Sequence, residues 1–389
     1  MVALMIRRNL TLFQIDNFLG GFWPLSAVAI IYFESIAHSY VEAMLVFSII
    51  NIVQSICEIP TGVLSDKIGR KYSMTATYAL ILAGYAAWAI AGDTQNIWLL
   101  YAGAALVGCG QAFVSGTDDA FAYETMKELG QACEFDKIYS RNKSYGELGL
   151  AVSAALATAV YYFSSINTLA WISVVPALLR VFVSFFYIEP KCVERPKENG
   201  WKHFIKSLKL IMRRPKLIRF ALVKSFNYSF NAANWRFIGA YYETLIAPWL
   251  INVVRIVQEL MGFIGYRLVR LVKRRDSKKV LFLATLVNAL IKMGGVIINT
   301  AATPFIMVSS TLCYGISSTV ENTLLQKQLT DRQRATMGSV ISLFAGFLSV
   351  AVFMATGFIA DYTSARTVIF LLILMRIAVA FAYKRILNK

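Results

Sequence analysis

Charged and amide side chains set inside long apolar runs are where this sequence could do chemistry. In the first half they are mainly acidic. Asp16, beside Asn17, lies in the run 10–33, Glu58 near the end of 41–61, Asp118 and Asp119 near the end of 97–120, and Glu147 at the start of 143–164. A buried carboxylate can take up and release a proton, which makes Asp16, Glu58, Asp118, Asp119 and the later Glu321 candidates for proton coupling. Asp16 is the preferred one, while capping and gating at a cytoplasmic mouth is the favoured reading of Asp118 and Asp119. The second half differs. Lys224, Asn227, Asn231 and Asn234 are spaced by three, four and three residues, so they share one helical face. Arg236 is close by. Arg255 lies mid-run with Glu259 four residues on, and it either binds a ligand or forms an intrahelical ion pair that eases its insertion. Tyr314, Ser317 and Glu321 share a face of a later run. An acidic first half and a cation- and amide-rich second half suit a small solute with an anionic or zwitterionic group, contacted by Asn17, Asn227, Asn231, Asn234, Arg236, Arg255 and Tyr314. His38 and His203 are not placed for a proton relay, so such a relay would rest on carboxylates.

The elements that position these residues are apolar runs of about 20 residues, the length that spans a bilayer core. The chain has 389 residues, 57% hydrophobic and 16% charged, too apolar for a soluble domain. Spanning backbone must satisfy its hydrogen bonds internally, and the runs are too long for barrel strands, so they are expected to be helices. Twelve are expected: 10–33, 41–61, 73–92, 97–120, 143–164, 168–188, 217–242, 245–269, 280–300, 304–326, 336–360 and 367–384. A charge near mid-bilayer costs roughly 2.5–3.5 kcal/mol even on a lenient scale, so each of the residues above needs a reason.

The net charge of +17 does not signify nucleic acid. Lys and Arg crowd alternate loops, whereas residues 34–40, 93–96, 164–167, 243–246 and 301–304 carry none. That is the positive-inside pattern, and it puts both termini in the cytoplasm, with the lipid bilayer as partner. Asp16 and Asn17 interrupt the first apolar run and no small-residue cleavage site follows, so no cleaved signal peptide is expected. The five cysteines are scattered, giving no disulfide framework and no metal site. The fold class is all-α integral membrane.

A polar stretch from Glu189 to Gly200, then a basic amphipathic segment, divides the chain into an N-terminal six-helix bundle (1–189), a cytoplasmic linker (190–215) and a C-terminal six-helix bundle (216–389). The string Gly62-Val-Leu-Ser-Asp66-Lys-Ile-Gly69-Arg70-Lys71 follows the second run, and Gly265-Tyr-Arg-Leu-Val269-Arg occupies the equivalent place in the second half. Such repeats underlie secondary transporters. Gly62 would let helices approach, Gly69 would permit a tight reversal, and Asp66 would accept charge-assisted hydrogen bonds from helix ends or Arg70.

This string resembles the loop between helices two and three of the major facilitator superfamily, and the chain resembles its bacterial 12-helix branch of efflux permeases, as do Glu58-Ile-Pro60-Thr and Ser115-Gly-Thr-Asp-Asp-Ala-Phe-Ala-Tyr-Glu124. The resemblance implies two pseudo-symmetric six-helix bundles and a gate at Gly62, Asp66, Gly69, Arg70 and Lys71. It also implies that Arg180, Lys292 and Arg376 stand on peripheral helices, where snorkelling or contacts between helices is their expected role. Two departures weaken a drug–proton antiporter label. Ala104-Ala-Leu-Val107-Gly108 stands where an Arg-x-x-Gln-Gly string would be, and Gly146-Glu-Leu-Gly149 lacks the proline of a Gly-Pro pair. The expected function is secondary transport of a small organic solute across a bacterial inner membrane, as a monomer, by proton-coupled efflux. Uptake or exchange of an anionic or zwitterionic metabolite or siderophore-like compound is the alternative within transport. Without a Walker-type string, ATP hydrolysis is not expected. A membrane enzyme or sensor would want catalytic clusters or an appended domain that the sequence does not show, and no cofactor or metal is expected.

Overall fold

The protein is described from a computed structural model, which covers residues 2–114, 117–131, 135–190, 215–272, 276–326 and 331–388. The described residues form helices, as long apolar segments must in lipid. They fall into two compact units, one made of residues 1–27, 32–38 and 45–199, the other of 28–31, 39–44 and 200–389.

Unit 1 holds α1 (Val2–Gly21), most of α3 (Tyr40–Ile68), α4 (Arg70–Thr94), α5 (Ile97–Val114), α6 (Thr117–Glu128), α7 (Phe135–Phe163) and α8 (Ile166–Phe185). Residues of α2 (Ala29–Ala37) are divided between the units. Helix α4 packs on α5 and α8, and α1 on α7. Glycines permit these approaches: a side chain at Gly149 would run into the Phe18 carbonyl, and one at Gly103 would lie 2.6 Å from the Trp88 ring. Small residues at such crossings let dispersion contacts replace a hydrophobic drive that lipid does not supply. Phe13, Met74, Tyr78, Phe121, Ala122 and Tyr187 form a core where α1, α4 and α6 meet the segment after α8.

Unit 2 repeats the scheme with α9 (Pro215–Glu243), α10 (Pro248–Val272), α11 (Ser277–Ile298), α12 (Thr303–Ser309), α13 (Thr311–Gln326), α14 (Asp331–Tyr362) and α15 (Ala365–Asn388). Helix α11 packs on α13 and α15, α9 on α14 and α15, and α10 on α13. Its core gathers Leu217, Phe220, Leu281, Val320, Val379 and Tyr383.

The expected spans need two corrections. The first, 10–33, is not one helix: α1 stops at Gly21 and α2 starts at Ala29, because Gly20, Gly21 and Pro24 disfavour a continuous helix there. The span 304–326 is replaced by α12 and α13, which part at Ser310, whereas residues 115–116 of the span 97–120, between α5 and α6, lie outside the described residues. By length and apolarity alone, eight described segments can cross a membrane, in α3, α4, α5, α7, α8, α11, α14 and α15. Helices α1, α9 and α10 fall outside that set and carry Asp16, Lys224, Arg236, Arg255 and Glu259, while α13 has 16 residues. Asp16, the α9 stripe and Arg255 thus stand on helices outside the apolar set, whereas Glu58, Arg70 and Lys71 stand on α3 and α4 within it.

Candidate functional site

In unit 1 the polar centre is Asp16, 1% exposed on α1. Arg180 of α8 donates from Nε to Asp16 Oδ1 at 2.8 Å and from NH2 to Oδ2 at 3.4 Å. The Tyr78 hydroxyl of α4 donates to the same Oδ2 at 2.5 Å. The guanidinium also lies over the Tyr78 ring, 4.1 Å from its centroid, a cation–π contact that strengthens where water is excluded. Gly20 makes room for this, since a side chain there would lie 3.1 Å from Arg180 Cζ. Asp118 acts electrostatically on Tyr78, Arg180 and Tyr187. Arg180 therefore makes a contact between helices rather than snorkelling, and Asp16 is no solitary acid. The Asn17 amide is spent within α1, on the Phe13 carbonyl at 2.7 Å.

In unit 2 the polar centre is Glu321, 6% exposed on α13. Oε1 accepts from the Tyr383 hydroxyl of α15 at 2.5 Å, and Oε2 from the Asn227 amide of α9 at 3.2 Å. Lys224, one turn before Asn227, acts on Glu321 electrostatically and donates to Asn322. Asn231 continues the stripe, donating to the Asn227 carbonyl at 2.8 Å and its Oδ1 at 3.1 Å. The structure thus joins two features read separately in the sequence, the α9 amide stripe and the α13 carboxylate. Tyr314 is half-buried on α13 and acts on Arg376 electrostatically. Asn234 is buried, and its Oδ1 meets no donor among the described residues.

Arg255 and Arg236 have local partners. Arg255 Nε lies 3.2 Å from Glu259 Oε1, four residues on, and its Cζ sits 3.9 Å from the centroid of the Trp235 ring. The geometry is that of the intrahelical ion pair, with an aromatic face added. Arg236 Cζ stands 5.3 Å from the Phe353 ring centroid.

The 62–71 string is only partly described, and the surroundings of Gly62 and the side chains of Asp66 and Val269 lie outside the described residues. Gly69 turns the chain with φ +97°, a backbone that side chains resist. Arg70 donates from NH1 to Ser65 Oγ at 3.4 Å and reaches Glu124 Oε1 at 3.6 Å from NH2. Sequence reading missed Glu189. Its two oxygens accept the backbone N–H groups of Arg70 and Lys71, each at 2.7 Å. A carboxylate at a helix start both satisfies orphan donors and meets the positive end of the dipole. Replacing Glu189 by alanine is expected to destabilise the protein by about 1–2 kcal/mol, read as a lower thermal midpoint in detergent. An unchanged midpoint would remove this cap from the account. Glu58 is half-buried on α3, Asp118 opens α6 within reach of the Asp16 cluster, and the side chain of Asp119 lies outside the described residues.

What Glu321 can do chemically follows from its neighbours. A carboxylate held by a hydroxyl and an amide can exchange a proton and reorder those contacts without moving backbone. Asp16 is instead matched by a permanently charged guanidinium.

The sequence matches the family model described as Major Facilitator Superfamily over residues 10–356. No curated protein matches it by sequence. Among solved structures, a point mutant of the nucleoside transporter NupG is 12% identical with a TM-score of 0.83, covering 97% of this chain and 99% of that one. A D-xylose-proton symporter is 14% identical, TM-score 0.72, covering 96% of each. A variant of the E. coli fucose:proton symporter FucP is 15% identical, TM-score 0.62, covering 98% and 99%. At these identities the likeness is one of fold.

Proposed function

Because this chain belongs to the major facilitator superfamily, it is an integral membrane transporter and not an enzyme, and we propose that it moves a small organic solute by alternating access, coupled to protons. The observation that carries the coupling is the buried Glu321 with its Tyr383 and Asn227 partners. Of the five candidate carboxylates it replaces Asp16 as our choice, since Asp16 is matched by Arg180. The amide stripe of α9, with Arg236, Tyr314 and Arg255, supports a solute bearing an anionic or zwitterionic group. Two of the fold neighbours are proton symporters, which supports protons as the driving ion.

Export is the primary reading, following the resemblance of residues 62–71 to efflux permeases. Uptake with a proton is the second, favoured by the same two neighbours. The alternating Lys and Arg loops support a bacterial inner membrane with both termini in the cytoplasm, and the protein is taken to act as a monomer. The test is purified protein in liposomes with imposed pH gradients of either sign and a panel of labelled anionic and zwitterionic solutes. Efflux-type coupling predicts that solute accumulates in the compartment from which protons leave. Accumulation along with protons would establish the second reading, and indifference to the gradient for every solute would remove proton coupling.

A further inference from the structure

Among the described residues of unit 2, one carboxylate, Glu321, acts on Lys224 and Arg376 but not on Lys292. Arg376 of α15 is 1% exposed. Its NH1 donates to Asn288 Oδ1 of α11 at 2.6 Å, and Asn288 Nδ2 donates to the Ser310 carbonyl at 2.6 Å. The second bond fixes the amide so that its oxygen faces the guanidinium. Arg376 Nε, equally buried, meets no acceptor among the described residues. Lys292 stands one turn beyond Asn288, on the same face of α11. The charged group acting on Lys292 is Arg376, of the same sign.

Glu321 does not balance this pair. It acts on Arg376, but its two oxygens already take the Tyr383 hydroxyl and the Asn227 amide, and Lys224 of α9 acts on it as well. Lys224 and Arg376 thus share one carboxylate, and none acts on Lys292 among the described residues. A buried guanidinium keeps its proton, so Arg376 requires negative charge or strong acceptors to be tolerable. Asn288 supplies one neutral acceptor to NH1 and leaves Nε aimed elsewhere. Two cationic donors brought together on adjacent helices, one oriented by an amide, are the chemistry that recognises an oxyanion.

We propose that Arg376 and Lys292 form a binding site for the oxyanion of the solute, a carboxylate or a phosphate, inside unit 2. The proposal deepens the reading of an anionic solute and rests on it for what carries the anion. It shifts that role from Arg236 and Arg255, which have aromatic and acidic neighbours, to two residues placed by α11 and α15.

The experiment is thermal unfolding of the full-length protein in detergent at neutral pH and constant ionic strength. Benzoate, inorganic phosphate and chloride are added separately. The expected result is a rise in midpoint of about 3 °C with saturating benzoate or phosphate, none with chloride. Whichever oxyanion acts identifies the headgroup. Lys292→Met should fold and lose the rise, and Arg376→Lys should lose most of it because a lysine has no Nε to orient. If Arg376→Lys does not fold, Lys292→Met decides. The site is refuted if neither oxyanion raises the midpoint, if chloride raises it equally, or if Lys292→Met keeps the full rise. No gradient is applied, so the outcome is separate from that of the proton-coupling test.

Discussion

Replacing Arg180 by alanine is expected to cost about 3–5 kcal/mol of stability, because it strands a buried carboxylate. Asp16 is 1% exposed and would keep, among the described residues, only the Tyr78 hydroxyl. Against a typical stability of about 5–15 kcal/mol, that loss depletes folded protein in the membrane. Asp16→Asn alone should also be costly, since it leaves the guanidinium without its countercharge. The combination of Asp16→Asn with Arg180→Met removes both charges and should recover most of the loss. The check is a double-mutant cycle on thermal midpoints in lipid nanodiscs. Additive single and double effects would mean that the pair is not coupled in the folded state.

The second large effect concerns driving force rather than stability. One unit of pH gradient is worth about 1.4 kcal/mol per proton, which supports about tenfold accumulation of a solute coupled to a single proton. With Glu321→Gln, accumulation under such a gradient should fall to the level seen without one. Solute exchange in the absence of a gradient should persist, because glutamine preserves volume. The glutamine amide can serve only one of the two donors that Glu321 now satisfies, so modest destabilisation is expected too, and the exchange measurement separates it from uncoupling. Retained tenfold accumulation in Glu321→Gln would move the coupling role away from this residue.

The fold was legible wherever a span is uniformly apolar, because length and hydropathy alone then decide. It was less legible at Gly20, Gly21 and Pro24, where backbone preference breaks a run that composition treats as continuous. The Arg255–Glu259 pair was readable from its four-residue spacing, as was the shared face of Asn227 and Asn231. What could not be read is partnership across long sequence distance. Nothing local marks Tyr78 as the donor to Asp16, Tyr383 as the donor to Glu321, or Arg180 as a countercharge rather than a snorkelling residue. Each is set by which helices pack, and Arg180 and Tyr383 are separated from their acceptors by 164 and 62 residues.

Glu189 adds a constraint on the order in which the protein is made. The first N–H groups of α4 wait for a carboxylate 119 residues further along the chain. Asn9 likewise waits for Ile188, to which it both donates at 2.8 Å and from which it accepts at 3.0 Å. At a synthesis rate of about 5–20 residues per second, the start of α4 spends roughly 6–24 s without its cap. During that interval its open donors face the headgroup region and water. Asn9 of α1 and the start of α4 are therefore secured side by side in one late event, when the ribosome has delivered residues 188 and 189.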